Sequence, residues 1–87
     1  MDNDYVEVVL VLTKNGRADY VNSWLEQHDV PSVRIQAGFL LTASTKVIDR
    51  AFGCDVKSLS RPARLPIPKD LIGDVSAIEI PRPKRPM

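Results

Sequence analysis

The spacing of apolar and polar residues along the chain predicts an alternation of strands and helices. Residues 5–13, YVEVVLVLT, are rich in valine and leucine and lack glycine and proline, which predicts a central strand covered on at least one face. In residues 17–28, four residues recur at the helical spacing i, i+3, i+4 and i+7. They are Val21, Trp24, Leu25 and His28. We therefore expect an amphipathic helix with Asn15 as its N-cap and its end before Pro31.

A hairpin and a second helix are predicted next. Residues 32–36 and 39–43 are short, largely apolar segments on either side of an Ala-Gly pair, and a two-residue link of this kind predicts a β-hairpin. The segment STKVIDRAFG then carries both signals of a short helix. Ser44 is a suitable N-cap, and Gly53 is suited to the left-handed conformation that closes a helix. The apolar stripe of this helix consists of Val47, Ile48, Ala51 and Phe52.

The last third of the chain is predicted to be a loop that leads to one more strand. Residues 54–59 are expected to be extended, and residues 61–70, with three prolines, are expected to form a loop. Pro68 is placed to open a short helical turn. Residues 75–80, VSAIEI, predict the final strand, and residues 81–87 form a basic, proline-rich tail.

The predicted order of elements defines the fold class. It is β-α-β-β-α-β, the split pattern of a ferredoxin-like α+β sandwich, with an antiparallel sheet and two helices on one face. The 87 residues suffice for one small domain, which we place at residues 1–80, followed by the tail at residues 81–87.

Three segments resemble the propeptides of sedolisin- and kumamolisin-type serine-carboxyl peptidases. VNSWLEQHDV (21–30) is similar to the WLxxHG helix of those propeptides, and TASTKVIDRAFGCDV (42–56) is similar to the segment in which a short helix ends in Ala-Phe-Gly. LPIPKDLIGDVSAIEI (65–80) is similar to their closing segment and strand. The resemblance implies the same ferredoxin-like fold. It also implies a partner, since such propeptides assist the folding of a peptidase and cover it, using a sheet face and a C-terminal extension.

The chain also departs from that family pattern. Asp29 and Val30 stand where the family helix usually exits through a glycine, and the loop at residues 61–67 is shorter and poorer in glycine. No catalytic segment is found before Met87, so we expect a free-standing form of the propeptide. The expected function is that of a non-catalytic protein-binding module, either a peptidase inhibitor or a folding assistant. The alternative is an assembly subunit that forms a homodimer or docks a partner through its sheet and basic tail.

Charge and composition narrow the partners and the compartment. With 12 basic and 11 acidic residues the net charge is +1, which argues against nucleic acid as a partner. No apolar run reaches the roughly 20 residues of a membrane helix, and the acidic start of the chain is unlike a secretory signal. A single cysteine cannot form an internal disulfide. These features predict a cytoplasmic protein that has no contact with a membrane.

The residues best suited to catalysis are expected to be structural. Cys54 follows a helix C-terminus and precedes Asp55, and both neighbours disfavour the thiolate. His28 is expected to cap the first helix or to lie half-buried at its end. Trp24 is expected in the core, the alternative being an anchor at an interface. One cysteine and one histidine do not make a metal site, so we predict no enzyme activity, no metal and no cofactor.

The candidate partner-binding residues lie at the end of the last strand and in the tail. The final strand alternates so that Glu79 is expected to point outward, and the tail adds three bases in five residues. The predicted set is Glu79, Ile80, Arg82, Lys84 and Arg85.

Overall fold

The computed structural model of the chain describes residues 5–60 and 62–81. These residues form two helices and five strands, together with 3-10 turns at Val56–Ser58 and Lys69–Leu71. The helices are α1 (Ala18–Gln27) and α2 (Thr45–Phe52). The strands are β1 (Tyr5–Leu12), β2 (Ser32–Ile35), β3 (Gly38–Ser44), β4 (Ala63–Arg64) and β5 (Val75–Ile80).

The five strands form an antiparallel sheet in the order β2-β3-β1-β5-β4. The four predicted strands take the positions expected for a split β-α-β-β-α-β chain, with β1 and β3 at the centre. The fifth, β4, has two residues and extends the sheet beyond β5. This arrangement confirms the predicted ferredoxin-like α+β fold and adds one short edge strand from the proline-rich loop.

One face of the sheet is buried under the two helices. On β1 the side chains of Val6, Val8 and Leu10 are buried, whereas those of the residues between them are exposed or only partly covered. This alternation follows from the two-residue period of a strand. The buried apolar side chains of β1, β3 and β5 belong to one cluster with Leu25 of α1 and Ile48 of α2, so both helices pack on the same face.

Helix α2 is bounded by the two residues predicted from its sequence. Ser44 is the N-cap, and its hydroxyl accepts a hydrogen bond from the backbone N–H of Val47 at 3.3 Å. Gly53 closes the helix with a left-handed φ of 66°. Because Ser44 is also the last residue of β3, the strand passes into the helix without a loop.

The predicted cap of α1 is wrong. Arg17, not Asn15, is the N-cap residue, and it contributes no side-chain cap to its own helix. The backbone N–H of Arg17 instead donates to Asp74 Oδ1 at 2.9 Å. The carboxylate that satisfies the start of α1 therefore comes from the turn just before β5.

The β2–β3 hairpin turns one residue earlier than predicted. Its two turn residues are Gln36 and Ala37, and Gly38 is the first residue of β3. A Cβ atom on Gly38 would collide with the backbone carbonyl oxygen of Leu10 in β1. The glycine is therefore needed for the close approach of two strands and not for the turn.

The segment after α2 is not extended as predicted. Val56 begins a 3-10 turn, and its backbone N–H donates at 2.7 Å to the carboxylate of Asp49, seven residues earlier in α2. The side chain of Val56 is fully buried in the core. Farther along, the predicted turn after Pro68 is confirmed as Lys69–Leu71.

Strand β5 contains a bulge at Ser76. Val11 lies opposite Ala77, and Leu12 lies opposite Val75, so Ser76 is an extra residue in β5. Its hydroxyl donates to the carbonyl oxygen of Val11 at 3.3 Å. The bulge explains why Val75 is buried although a regular strand would place it on the opposite face from Ile78.

Candidate partner-binding surface

The sheet face turned away from the helices is not covered by any part of the chain that the structure describes. We call it the open face. It carries the side chains of Tyr5, Glu7, Val9, Val11, Val33, Ile35, Leu40, Thr42, Arg64, Ala77 and Glu79, as the register and the burial pattern of the strands require. Most of the residues at its centre are aliphatic, which is unusual for a surface that serves only to contact water.

One row of side chains crosses the open face from edge to edge. Directly opposed positions on the five strands place its members side by side. In order from β2 to β4 they are Val33, Leu40, Val9, Glu79 and Arg64. Three aliphatic residues therefore lie next to an ion pair, which gives the surface an apolar centre and a charged border. This is the arrangement found in many protein–protein interfaces.

The ion pair at the charged border is weak. Arg64 Nη2 lies 3.2 Å from Glu79 Oε2, and both side chains remain accessible to water, so salt screens their attraction. Glu7 adds an exposed acid on β1. A partner can rearrange these charges at little cost in free energy. The aliphatic centre can be buried without removing a polar side chain from water.

Of the five predicted binding residues, the structure describes Glu79 and Ile80, and it places their side chains on opposite faces of β5. Glu79 lies on the open face, as its alternation predicted. Ile80 is 1% exposed and belongs to the core, so its side chain is not available to a partner. The other three predicted residues, Arg82, Lys84 and Arg85, lie outside the described residues, together with all of the predicted tail except Pro81. The aliphatic residues of the open face were missing from the predicted set.

Cys54 sits beside the core without the surroundings of a nucleophile. Its thiol is partly buried and free, and it packs against the hydrophobic cluster. Burial raises the pKa of Cys54, and the nearby carboxylates of Asp49 and Asp55 raise it further. Each cause disfavours the thiolate, which is the reactive form of cysteine.

His28 ends α1 and covers Trp24. It is the C-cap residue, and its ring stacks on the indole with the centroids 3.9 Å apart. Its Nδ1 lies 2.8 Å from the carbonyl oxygen of Trp24, so a proton on Nδ1 is donated to the helix end. Trp24 is buried and also contacts Phe52 of α2, with a centroid distance of 5.5 Å. Cys54 therefore packs against the core, and His28 caps α1 and packs on Trp24.

The ion pair between Arg17 and Asp74 fixes the corner between β1 and α1. Arg17 Nε and Nη2 donate to Asp74 Oδ1 and Oδ2 at 2.9 and 2.8 Å, so the contact is bidentate. These hydrogen bonds lower the pKa of Asp74 to about 2. The guanidinium also lies over the ring of Tyr20, 4.3 Å from its centroid. Asp74 is buried, and both of its carboxylate oxygens accept hydrogen bonds from Arg17, so the carboxylate is engaged within the fold.

Comparison with known proteins gives no relative from which a function can be transferred. No protein-family model, curated protein or solved structure matches the chain. In residues 5–60 and 62–81 no group of three or more His, Cys, Asp or Glu side chains is placed to hold a metal ion. Within the same residues, neither helix has the length and apolar character needed to cross a bilayer.

Proposed function

We propose that the protein is a non-catalytic binding module that docks another protein on its open face. The observation that supports this proposal is the row across the sheet, in which Val33, Leu40 and Val9 lie side by side and remain at least partly exposed. An aliphatic surface of this kind gains free energy when a partner removes it from water. Among the described residues, Glu79 beside this row is paired with Arg64, and neither the histidine nor the cysteine of the chain lies on this face.

A peptidase is the proposed class of partner. The support is the resemblance of residues 21–30, 42–56 and 65–80 to peptidase propeptides, whose sheet faces contact the enzyme. On this proposal the chain inhibits a sedolisin-type peptidase or assists its folding. The open face supplies the apolar contact, and the basic tail supplies charge.

The proposal is tested by titrating a sedolisin-type peptidase with the chain and with two lysine variants. Val9→Lys places a charge in the middle of the open face, whereas Gln27→Lys adds the same charge on an exposed position of α1, away from that face. We expect the wild type and Gln27→Lys to bind and inhibit alike, and Val9→Lys to bind at least about tenfold more weakly. Absence of a complex at micromolar wild-type protein would reject the peptidase. Equal binding by both variants would reject the open face.

An assembly subunit is the second candidate, because the same aliphatic row also suits a second copy of the chain. A dimer joined face to face would bury Val9 and leave the open face closed to other proteins. Sedimentation of the wild type and of Val9→Lys decides this point. A dimer that the lysine dissociates supports self-assembly through the face.

A further inference from the structure

The outer edge of β2 is the second surface that the fold leaves open. β2 is the first strand in the sheet order, and among the residues that the structure describes it pairs only with β3. The opposite edge, β4, has two residues and is flanked by Pro62 and Pro66, which cannot donate a backbone hydrogen bond. Of the two edges in the described part of the sheet, β2 is therefore the one that can accept another strand.

The backbone groups that face outward on β2 follow from its pairing with β3. The N–H of Thr42 donates to the carbonyl oxygen of Pro31 at 3.2 Å, and Val33 lies opposite Leu40 in the same register. Hydrogen-bonded and non-hydrogen-bonded positions alternate in an antiparallel pair. The N–H and C=O groups of Ser32 and Arg34 therefore point away from β3. Within the described residues, no partner meets these four groups.

The charged side chain on β2, that of Arg34, does not guard this edge. Edge strands are commonly guarded by a lysine or another charge that repels an incoming strand. The Nη1 of Arg34 instead donates to the carbonyl oxygens of Ile35 and Gly38 at 2.6 and 2.8 Å. Its guanidinium carbon lies 5.4 Å from the ring centroid of Phe39, so the charge lies over the chain's own residues. Val33 is 64% exposed, a large value for an aliphatic residue in a strand.

We propose that β2 pairs with β2 of a second copy, antiparallel, about a two-fold axis at Val33. Ser32 and Arg34 are placed symmetrically about Val33. The N–H of Ser32 would therefore donate to the C=O of Arg34 in the second copy, and the C=O of Ser32 would accept from the N–H of that Arg34. The outward groups of β2 are thus their own complement, which is what a two-fold interface requires. The two exposed valines meet at the axis as a non-hydrogen-bonded pair, the closer of the two antiparallel pairings.

This dimer goes beyond the proposed function and leaves Val9 and Leu40 at the centre of the open face accessible to a partner protein. Pairing at β2 joins two sheets edge to edge, and the open faces of both copies stay accessible on one side of the joined sheet. Val9 lies two strands away from the edge and takes no part in the contact. The contact is small, so association is expected to be weak and to depend on concentration.

The test is sedimentation equilibrium of the wild type, Ser32→Pro and Val9→Lys from about 10 µM to about 1 mM, the range in which small interfaces assemble. Proline at residue 32 removes an outward N–H from each copy without removing a bond to β3, and the first residue of an edge strand tolerates proline. We expect a monomer–dimer equilibrium in the wild type and in Val9→Lys. In Ser32→Pro we expect at least about tenfold weaker association.

Amide hydrogen exchange supplies a second measurement that needs no variant. Protection of the Ser32 and Arg34 amides should rise with protein concentration, whereas that of Val33, which faces β3, should not change. A wild type that stays monomeric throughout overturns the proposal, and so does a Ser32→Pro protein that folds and still dimerises. Loss of the dimer in Val9→Lys alone would assign self-association to the open face instead.

Discussion

The two faces of β1 have similar residues and different surroundings. Val8 is fully buried between the sheet and the helices, whereas its neighbour Val9 has the same side chain and lies on the open face. The same contrast holds for Leu10 and Val11. From Val8 to Val11 the strand is apolar on both sides, and the position of the helices decides which side becomes the core.

The two groups of side chains on β1 differ in how much they stabilise the fold. The buried side chains of β1 are stabilised by contacts with α1 and α2. The open-face side chains stabilise the folded chain less, because folding removes less of their surface from water. An uncovered aliphatic row on this strand is the feature on which the proposed binding of a partner rests.

The largest expected effect comes from truncating the covered side of β1. Leu10→Ala should lower the free energy of unfolding by about 2–5 kcal/mol, since it removes a fully buried side chain and leaves a cavity. Val9→Ala, one residue away on the open face, should cost less than about 1 kcal/mol. Urea unfolding of both variants measures the difference. Equal losses in the free energy of unfolding would mean that the open face is part of the core, which would contradict the contrast between the two faces of β1.

The next effect concerns the spacing of the strands that carry both faces. Gly38→Ala should cost about 1–3 kcal/mol, because its Cβ would collide with the Leu10 carbonyl and push β3 from β1. Gly53→Ala is the matched control. Nothing lies within 4 Å of its Cβ, so its cost comes from the left-handed φ alone, at about 1–2 kcal/mol. Thermal unfolding compares them, and the amide chemical shifts of β1 should change only in the Gly38 variant. Unchanged β1 shifts there would contradict the close-approach argument.

A pH-dependent effect arises where α1 is fixed over the covered face. The pKa of Asp74 is lowered from 3.8 to about 2, so the folded state favours the carboxylate. The stabilisation is complete above the ordinary pKa of aspartate and is lost as the pH falls through about 2. Asp74→Asn should be less stable than the wild type at pH 7, and the difference should shrink between pH 4 and pH 2. Urea midpoints across that range measure it, and a difference independent of pH would contradict the ion pair.

Local signals made part of this architecture predictable. Helix α2 was predicted with its cap and its closing glycine because Ser44 and Gly53 act on backbone groups within a few residues. Asp74 was not predicted to act on Arg17, because 57 residues separate them and the contact exists only once β5 lies beside β1. The role of Gly38 depends on the neighbouring strand in the same way. For the candidate site, alternation placed Glu79 correctly, but the aliphatic row required the register of five strands.

The smallest expected effect is at Cys54, at the border of the covered face. Cys54→Ala should change the free energy of unfolding by less than about 1 kcal/mol, because the thiol is only partly buried and a small apolar residue fills its place. In the wild type, burial and two nearby carboxylates raise the pKa of the thiol, so alkylation by iodoacetamide at pH 7.5 should be slower than that of a free cysteine. Alkylation rates of the folded and urea-unfolded chain provide the control. Faster alkylation in the folded state would mean that the fold activates Cys54. Loss of partner binding in a folded Cys54→Ala protein would place the functional surface at the end of α2 instead of on the open face.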